Sequence, residues 1–511
     1  MAQIRQINPR NGITYVYEAT PFWDKERKQS RYLDRRMIGH IDPESGELVA
    51  NRPMKPKLSA PEASRLFAGA THLLGEIADQ IGLTADLSET LGEKGKAVEA
   101  FAQFLVAEDP APASRFGLWA RTHAQPLGDQ VLSSQRWSEV FAGIRQEDVE
   151  AFFRARVKRA SGQYWFFDTT SISSYSKLLE KVRWGHNKDG VALPQINLAM
   201  VKDGTTGLPL AYKDLPGNIT DVTLVKQLLA DFARYGAGRM KLCMDRGFYS
   251  KANIDDLMAA HMKFLIGTRI GLGYVKQALA EHSHFLRSWQ NLDVAKHLYG
   301  MRLDQPWQSD LEATTKRSYL YLFFDPRRAT QEEETFGDLI AQLYHELVSG
   351  ATTAGHQSLY DKYFHKTKTG WTGNDQAIEA ERDKHGYFAL LSNDASLDCW
   401  AALDVYRSKD QIEKAFHDVK DRLAMRTTSV HNQETLTGKL FTVYTALIIT
   451  SELCRRMTTC GLDKQYTITE LLDQLETVEQ YLHQHRKPVI LHVTKKQTEI
   501  YTALRVNPPT S

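Results

Sequence analysis

Tyr164-Trp165-Phe166-Phe167-Asp168-Thr169-Thr170-Ser171 decides the fold: four consecutive aromatic residues, then a carboxylate. An unbroken aromatic run reads as a buried strand. A carboxylate at the end of such a strand projects into the crevice where α/β sheets place their sites. Downstream, residues 196–200 and 208–212 flank the turn Lys202-Asp203-Gly204-Thr205-Thr206-Gly207, a hairpin pattern. Val222, Val225, Leu228, Leu229 and Phe232 then follow helical spacing, with Thr220 or Asp221 as cap. Residues 241–244 predict the next strand, ending at Asp245. Strand, strand, strand, helix, strand is the opening order of an RNase H-like domain. Residues 319–324 and 387–391 predict further strands, and between them Glu332-Glu333-Glu334 leads into a helical pattern through Phe336, Leu339, Ile340, Leu343 and Leu347.

Asp245 stands in a second setting of the same kind, Leu242-Cys243-Met244-Asp245-Arg246-Gly247-Phe248-Tyr249-Ser250, where Gly247 lets the backbone turn sharply after the strand. The third piece is a helical run from Tyr406 to Lys420. At about 100° per residue, with Glu413 at zero, Lys409 falls at about −40°, Lys420 at about −20° and Tyr406 at about +20°. One phenol, two ammonium groups and one carboxylate therefore share a stripe. Lys409 and Glu413 also have the spacing of an ordinary i,i+4 surface pair. The apolar stretch that follows, 436–453, belongs against a sheet, which aims the stripe at the strand ends. Three carboxylates converging from two strand ends and a helix suit hard cations such as Mg²⁺. Two such ions serve an in-line displacement at phosphorus, with Lys and Tyr beside them to hold a phosphate backbone.

The whole chain has 511 residues, with 64 Lys+Arg against 62 Asp+Glu for a net charge of +2, and 42% hydrophobic residues. These values exclude a disordered, collagen-like or uniformly basic chain, whereas a nucleic-acid enzyme needs only local basic patches. Four cysteines without a CxxC pair argue against a disulfide framework or a cysteine-built zinc site and fit a reducing compartment. The N-terminus lacks the apolar stretch of a secretory signal, and the most apolar run, 440–453, is too short and polar to span a membrane. The expectation is a cytoplasmic protein with no membrane partner.

Residues 1–60 hold 11 Lys/Arg and 7 Asp/Glu, whereas residues 61–110 hold 3 and 9, which suggests a boundary. The first part reads as β-rich through Thr14-Tyr15-Val16-Tyr17 and Arg36-Met37-Ile38-Gly39-His40. Its basic hairpin (Arg27, Lys28, Arg31, Arg35, Arg36), interleaved with Trp23 and Tyr32, suits DNA recognition or a solvated surface. From about residue 61 the pattern turns helical, with Ser133-Ser134 and Asp148 as helix starts. Residues 77–91, broken by Gly82, read as two bundle helices or as a helix-turn-helix. Arg154-Ala155-Arg156-Val157-Lys158-Arg159, followed by Lys177, Lys181, Arg183 and Lys188, suits phosphate contacts or a solvated face. The stretch from Gly267 to Gly273 is not followed by Gly-Lys-Ser/Thr, so no nucleotide cofactor is expected. His282/His284 and His483/His485 lack a third ligand and read as surface histidines.

At the acidic residues the sequence resembles the DDE transposases of bacterial insertion sequences, in the IS4-like group and its IS1634 branch. The resemblance rests on Asp168 with Thr169-Thr170, Leu215-Pro216-Gly217-Asn218 with Asp221, Asp245-Arg246-Gly247-Phe248-Tyr249, and the spacing Y-x2-R-x3-E-x6-K through Tyr406, Glu413 and Lys420. Lys409 stands where the wider group has Arg, keeping the charge and losing the bidentate fork. The fold implied is α/β (α+β multidomain): an RNase H-like catalytic core with an inserted β-containing domain, preceded by a small β-rich and a helical N-terminal region. The expected parts are 1–58 (β-rich, DNA-end binding), 59–159 (helical, DNA binding), 160–267 (first part of the core), 268–384 (insertion), 385–460 (second part of the core, with the Glu413 helix) and 461–511 (helical, dimerisation). The resemblance further implies that Asp168, Asp245 and Glu413 hold two Mg²⁺ ions, for which Mn²⁺ substitutes. Tyr406, Lys409, Lys420, Arg246 and Asn218 would contact double-stranded DNA, and a homodimer would assemble on two paired ends. The implied reaction is cleavage at inverted-repeat ends, then attack of the freed 3′-hydroxyl on target DNA. Two other readings stay open: a metal-dependent nuclease that cuts without joining, and an inactive, domesticated DNA-binding protein, against which the intact acidic triad argues.

Overall fold

The structure, a computed structural model, describes residues 2–9, 11–24, 28–50, 63–108, 112–160, 164–185, 190–219, 224–236, 240–311, 314–368, 370–409, 418, 423, 427–428, 430, 432–483 and 488–510. The chain forms two compact units, residues 1–64 with 482–487, and residues 65–481 with 488–511. In the first, β1 (Ala2–Ile7), β2 (Thr14–Asp24), β3 (Gln29–Ile41) and β4 (Leu48–Ala50) form an antiparallel sheet in sequence order. The aromatic and β-branched content of residues 14–24 carries β2 well past the short strand expected there. Arg35 covers the Tyr17 ring at 3.9 Å, a cation–π contact.

The helical region differs from expectation at its start. β5 (Ala63–Phe67) precedes the first helix, Gly69–Gln80, which continues through Leu83–Leu91 and Glu93–Ala107, with Gly82 between the first two. Ser133 caps Ser134–Ala142 by accepting the Arg136 backbone N–H. Asp148 does not start its helix: it is the third residue of Gln146–Arg159 and accepts the Arg145 backbone N–H at 3.1 Å. The basic run is partly spent inside the protein. Arg156 donates to Asp86 at 3.1 Å and to the Ile81 carbonyl at 3.0 Å, and Arg159 donates to Asp86 at 2.8 Å. Lys181 pairs with Asp214 at 2.8 Å, and Lys188 lies outside the described residues.

A ten-stranded mixed sheet carries the second unit. Its strands are β6 (Tyr164–Ser174), β7 (Gln195–Asp203), β8 (Pro209–Pro216), β9 (Lys241–Met244), β10 (Lys263–Thr268), β11 (Leu292–Asp293), β12 (Leu298–Asp304), β15 (Tyr319–Phe324), β18 (Tyr387–Ser392) and β19 (Thr427–Thr428). Along the sheet they run β11–β12–β15–β18–β10–β9–β6–β7–β8, with β19 alongside β6. β6, β9 and β10 are parallel neighbours, whereas β7 and β8 return antiparallel as the predicted hairpin. Helix Leu224–Arg234 lies between β8 and β9 in the chain, and its expected caps Thr220 and Asp221 fall outside the described residues. β13 (Trp307–Gln308) and β14 (Thr315–Lys316) form a short separate ladder. Within residues 268–384, β11, β12 and β15 therefore extend the main sheet. The remainder, with helix Pro326–Ser349 and the hairpin of β16 (Phe364–Thr367) and β17 (Gly370–Gly373), buries its own cluster of Phe336, Leu343, Leu347, Tyr360 and Tyr363.

The apolar stretch around residues 436–453 is a buried helix, Gln433–Cys460, packed against Glu93–Ala107 and Ser134–Ala142. A Cβ on Gly438 would lie 2.1 Å from the Phe141 carbonyl, so only glycine permits that approach. Among the described residues, no helix is long and apolar enough to cross a membrane. The C-terminal part is not purely helical. Between Ile468–Glu476 and Lys495–Ala503 run β20 (Glu479–His483) and β21 (Val489–Ile490), where Pro488 and β-branched residues disfavour a helix.

Candidate active site

Two central strands position the acids. β6 and β9 pair in parallel, with Phe166 opposite Cys243 and Phe167 opposite Met244. Phe166 and Cys243 are buried in one apolar cluster with Ala402 and Leu403 of helix Cys399–Arg407. Side chains alternate along a strand, so Asp168 shares the Phe166 face two residues on. Asp245 follows Cys243 at the same spacing, and its contact with Tyr406 of that helix puts it on the same side. Asp168 is not at a strand end, as expected, but within β6, which continues to Ser174 because Asp168 to Ser173 pair with Met200 to Gln195 of β7. Its Oδ1 accepts the Thr169 backbone N–H at 2.7 Å.

Asp245 closes β9 in an extended conformation and leads into a single turn, Arg246–Phe248. The Tyr406 hydroxyl donates to Asp245 Oδ1 at 2.8 Å, and Lys409 Nζ stands 3.8 Å from the same oxygen. Lys409 also lies 5.7 Å from the Tyr406 ring centroid. Burial is the largest influence on the Asp245 carboxyl and pushes its pKa up. The Tyr406 hydroxyl, the Lys409 charge and the Arg246 backbone N–H together outweigh burial and hold the pKa below the ordinary value. Burial, then the Asp245 charge, push the Tyr406 phenol up, so it stays a protonated donor.

The helix carrying Tyr406 ends at Arg407, with Ser408 and Lys409 in a turn closed by the Lys409 N–H on the Tyr406 carbonyl at 3.2 Å. The helix expected from Tyr406 onward is thus interrupted at Ser408 and Lys409, yet Tyr406 and Lys409 meet at Asp245. Lys409 is only 7% exposed, with its ammonium beside the Asp245 carboxylate. Glu413, Lys420 and Asp221 lie outside the described residues. Asn218 is exposed just past the end of β8, which β7 and β6 separate from β9, and it does not line the Asp245 cleft.

Sequence reasoning missed Gly267. In β10 the pair Ile266–Met244 places Gly267 beside Asp245, and a Cβ there would come 2.5 Å from the Tyr406 hydroxyl. The missing side chain makes room for the phenol. The only signal was a glycine inside an otherwise apolar strand, which marks a close approach. A cleft of about 970 Å³ opens here, lined by Asp245, Arg246, Gly267, Arg269, Arg328, Lys384 and Tyr406 among others. Glu332 and Glu381 offset part of its positive charge.

Among the described residues no three acidic, His or Cys side chains cluster as a metal site. Asp168 and Asp245 offer the hard carboxylate oxygens that Mg²⁺ or Mn²⁺ takes. Lys409 reduces the cost of gathering negative charge there.

Paired acids on adjacent parallel strands, one of them held by a phenol and an ammonium in a cation-lined cleft, define an α/β protein with an acidic site suited to an anionic substrate. Residues 163–449, more than half of the chain, match the transposase DDE domain, and the chain belongs to that family. Asp168, Asp245, Tyr406 and Lys409 all fall within the matched region. Among solved structures, a similar chain is that of the piggyBac transposase in a synaptic complex with hairpin DNA. The two share 10% identity and a TM-score of 0.37 over 80% of this chain and 78% of that one, too distant a likeness to bear on the site. No curated protein matches the chain.

Proposed function

We propose that the chain is an insertion-sequence transposase of the IS4-like group, IS1634 branch. Its RNase H-like core would cut double-stranded DNA at the inverted-repeat ends and transfer the 3′-hydroxyl to target DNA. The observation that carries this reading is the placement of Asp168 and Asp245 one residue past the Phe167–Met244 pair, within the family's matched region. In this reading Asp168, Asp245 and Glu413 hold two Mg²⁺ ions, with Mn²⁺ substituting. Such ions, when bound, activate an attacking oxygen and stabilise a leaving one. Tyr406 fixes one oxygen of Asp245 and so orients the other. Lys409 offsets the charge of the acid cluster from its place beside Asp245. Arg246, Arg269, Arg328 and Lys384 line the path of a phosphate backbone, and Lys420 and Asn218 are assigned to DNA by their motifs. Residues 1–58 and 59–159 grip the ends and 461–511 dimerise, giving a cytoplasmic homodimer on paired ends.

The test is a gel assay of the full chain with Mg²⁺ and a labelled duplex carrying the DNA that flanks its coding region. The expected products are a cut end and a joined strand, both absent with Glu413→Gln, which still binds DNA. Cutting without any joined product would select a nuclease instead. A wild-type rate from Glu413→Gln would overturn the site assignment.

A further inference from the structure

The β2–β3 hairpin carries a surface that the chemistry above does not use. β1 pairs with β2 only from Thr14 to Ala19, and β4 pairs with β3 only from Gly39 to Ile41. Five further pairs, from Thr20↔Leu33 to Asp24↔Gln29, continue as a two-stranded arm with no third strand among the described residues. At about 3.4 Å per residue the arm is roughly 17 Å long.

Directly opposed residues of an antiparallel pair share a face. Pro21, Trp23, Ser30 and Tyr32 therefore form one side of the arm, and Phe22, Asp24, Gln29 and Arg31 the other. All four on the first side are exposed, Trp23 to 62% and Tyr32 to 51%. On the second side Phe22 and Asp24 are half-buried, and Arg31 donates to Asp24 at 3.3 Å. An isolated two-stranded ribbon is marginal in water, and an indole and a phenol facing solvent do nothing to stabilise it. Such exposure marks a surface that something else covers.

Charge identifies the occupant. Residues 23–36 hold Lys25, Arg27, Lys28, Arg31, Arg35 and Arg36 against Asp24, Glu26 and Asp34, a local excess of three in a chain whose total is only +2. Size agrees, because the major groove of B-DNA, about 12 Å wide and 8.5 Å deep, admits a two-stranded β-ribbon. We propose that this arm is a duplex-DNA reader that enters a groove with its Trp23–Tyr32 face toward the bases and sugars. Lys28 and Arg36 meet the phosphates on either side. The assignment rests on the DNA-enzyme reading above.

The test is fluorescence anisotropy of the full chain with a labelled duplex of mixed sequence, titrated at several salt concentrations without divalent metal. Trp23→Ala/Tyr32→Ala weakens binding by about tenfold, the scale of removing well-packed aromatic side chains, and leaves the salt dependence unchanged because neither group is charged. Lys28→Ala/Arg36→Ala lowers the slope of log K against log salt by about 2, at about 0.9 for each phosphate no longer neutralised. Trp23→Phe/Tyr32→Phe recovers most of the affinity, which guards against a misfolded alanine variant. Wild-type affinity and slope in both double variants would overturn the arm's role. A changed sedimentation coefficient with DNA affinity intact would also overturn it, assigning the face to a second copy of the chain. Mg²⁺-dependent cutting by the wild type, measured in parallel, tests the enzyme reading separately. A wild type that neither binds nor cuts overturns both.

Discussion

Gly267→Ala tests the geometry of the acidic site without touching any acid. The new methyl group would lie 2.5 Å from the Tyr406 hydroxyl, 3.1 Å from the Arg246 nitrogen and 3.2 Å from the Arg246 Cβ. The last two contacts need shifts of a few tenths of an ångström, whereas the phenol must retreat by about 1 Å to reach ordinary contact. That displacement breaks the 2.8 Å hydrogen bond to Asp245. A hydrogen bond to a charged group is worth about 1.5–3 kcal/mol, or roughly 10- to 100-fold in rate if the loss falls on the transition state. Losing a group that orients a metal-binding carboxylate costs the same order. Mg²⁺-dependent strand cutting by Gly267→Ala should therefore fall about 10- to 100-fold, and Tyr406→Phe should fall as far. The double variant discriminates, since no other Tyr406 atom is among the three nearest to the added Cβ. Gly267→Ala in the Tyr406→Phe background should cost little more, a strongly non-additive cycle. Equal, additive losses in the two backgrounds would show that the methyl acts through the Arg246 backbone and would refute the argument.

Three further outcomes follow from buried charges. Asp86→Ala strands the buried Arg156 guanidinium and should destabilise the chain by about 3–5 kcal/mol in denaturant unfolding, with Arg156→Leu in the same chain restoring much of the loss. Burial pushes the Glu99 carboxyl up from 4.5 to about 7, so the folded state holds a proton that the unfolded state releases. Stability should thus fall as pH rises from 4.5 to about 7, and Glu99→Gln should stabilise at pH values above that window while doing nothing below it. Burial alone would push Asp394 up, but Lys241 at 2.6 Å, the Tyr164 hydroxyl at 2.7 Å and Ser396 hold it well below 3.8. Its contribution is present above pH 3.8 and lost on further acidification; a thermal-melt series of Asp394→Asn with an unchanged acid limb would contradict this.

The strands that frame the site were legible because their residues leave little choice. Aromatic or aliphatic runs at 164–167, 242–244, 319–324 and 387–391 all lie in strands of one sheet. The errors arose where a neighbour decides. β6 runs on through Ser174 because β7 supplies partners for its polar half, which a sequence of Thr and Ser does not announce. Arg156 and Arg159 read as a free basic run, but Asp86, some seventy positions earlier, consumes both. Charge and helical angle place Lys409 beside the acids, and its Nζ does stand 3.8 Å from Asp245 Oδ1, but its burial was not legible in the sequence.

By itself the sequence determined which residue types are candidates for the site and roughly which elements hold them, because alternation, helical spacing and charge are local properties. Only the tertiary structure decided that β6 and β9 lie side by side in parallel with Phe167 level with Met244, so that Asp168 and Asp245 become neighbours 77 positions apart in the chain. It also decided that Gly267 yields its space to the Tyr406 hydroxyl. Register and close approach depend on pairing between distant segments, and no local pattern encodes which partner a strand will find.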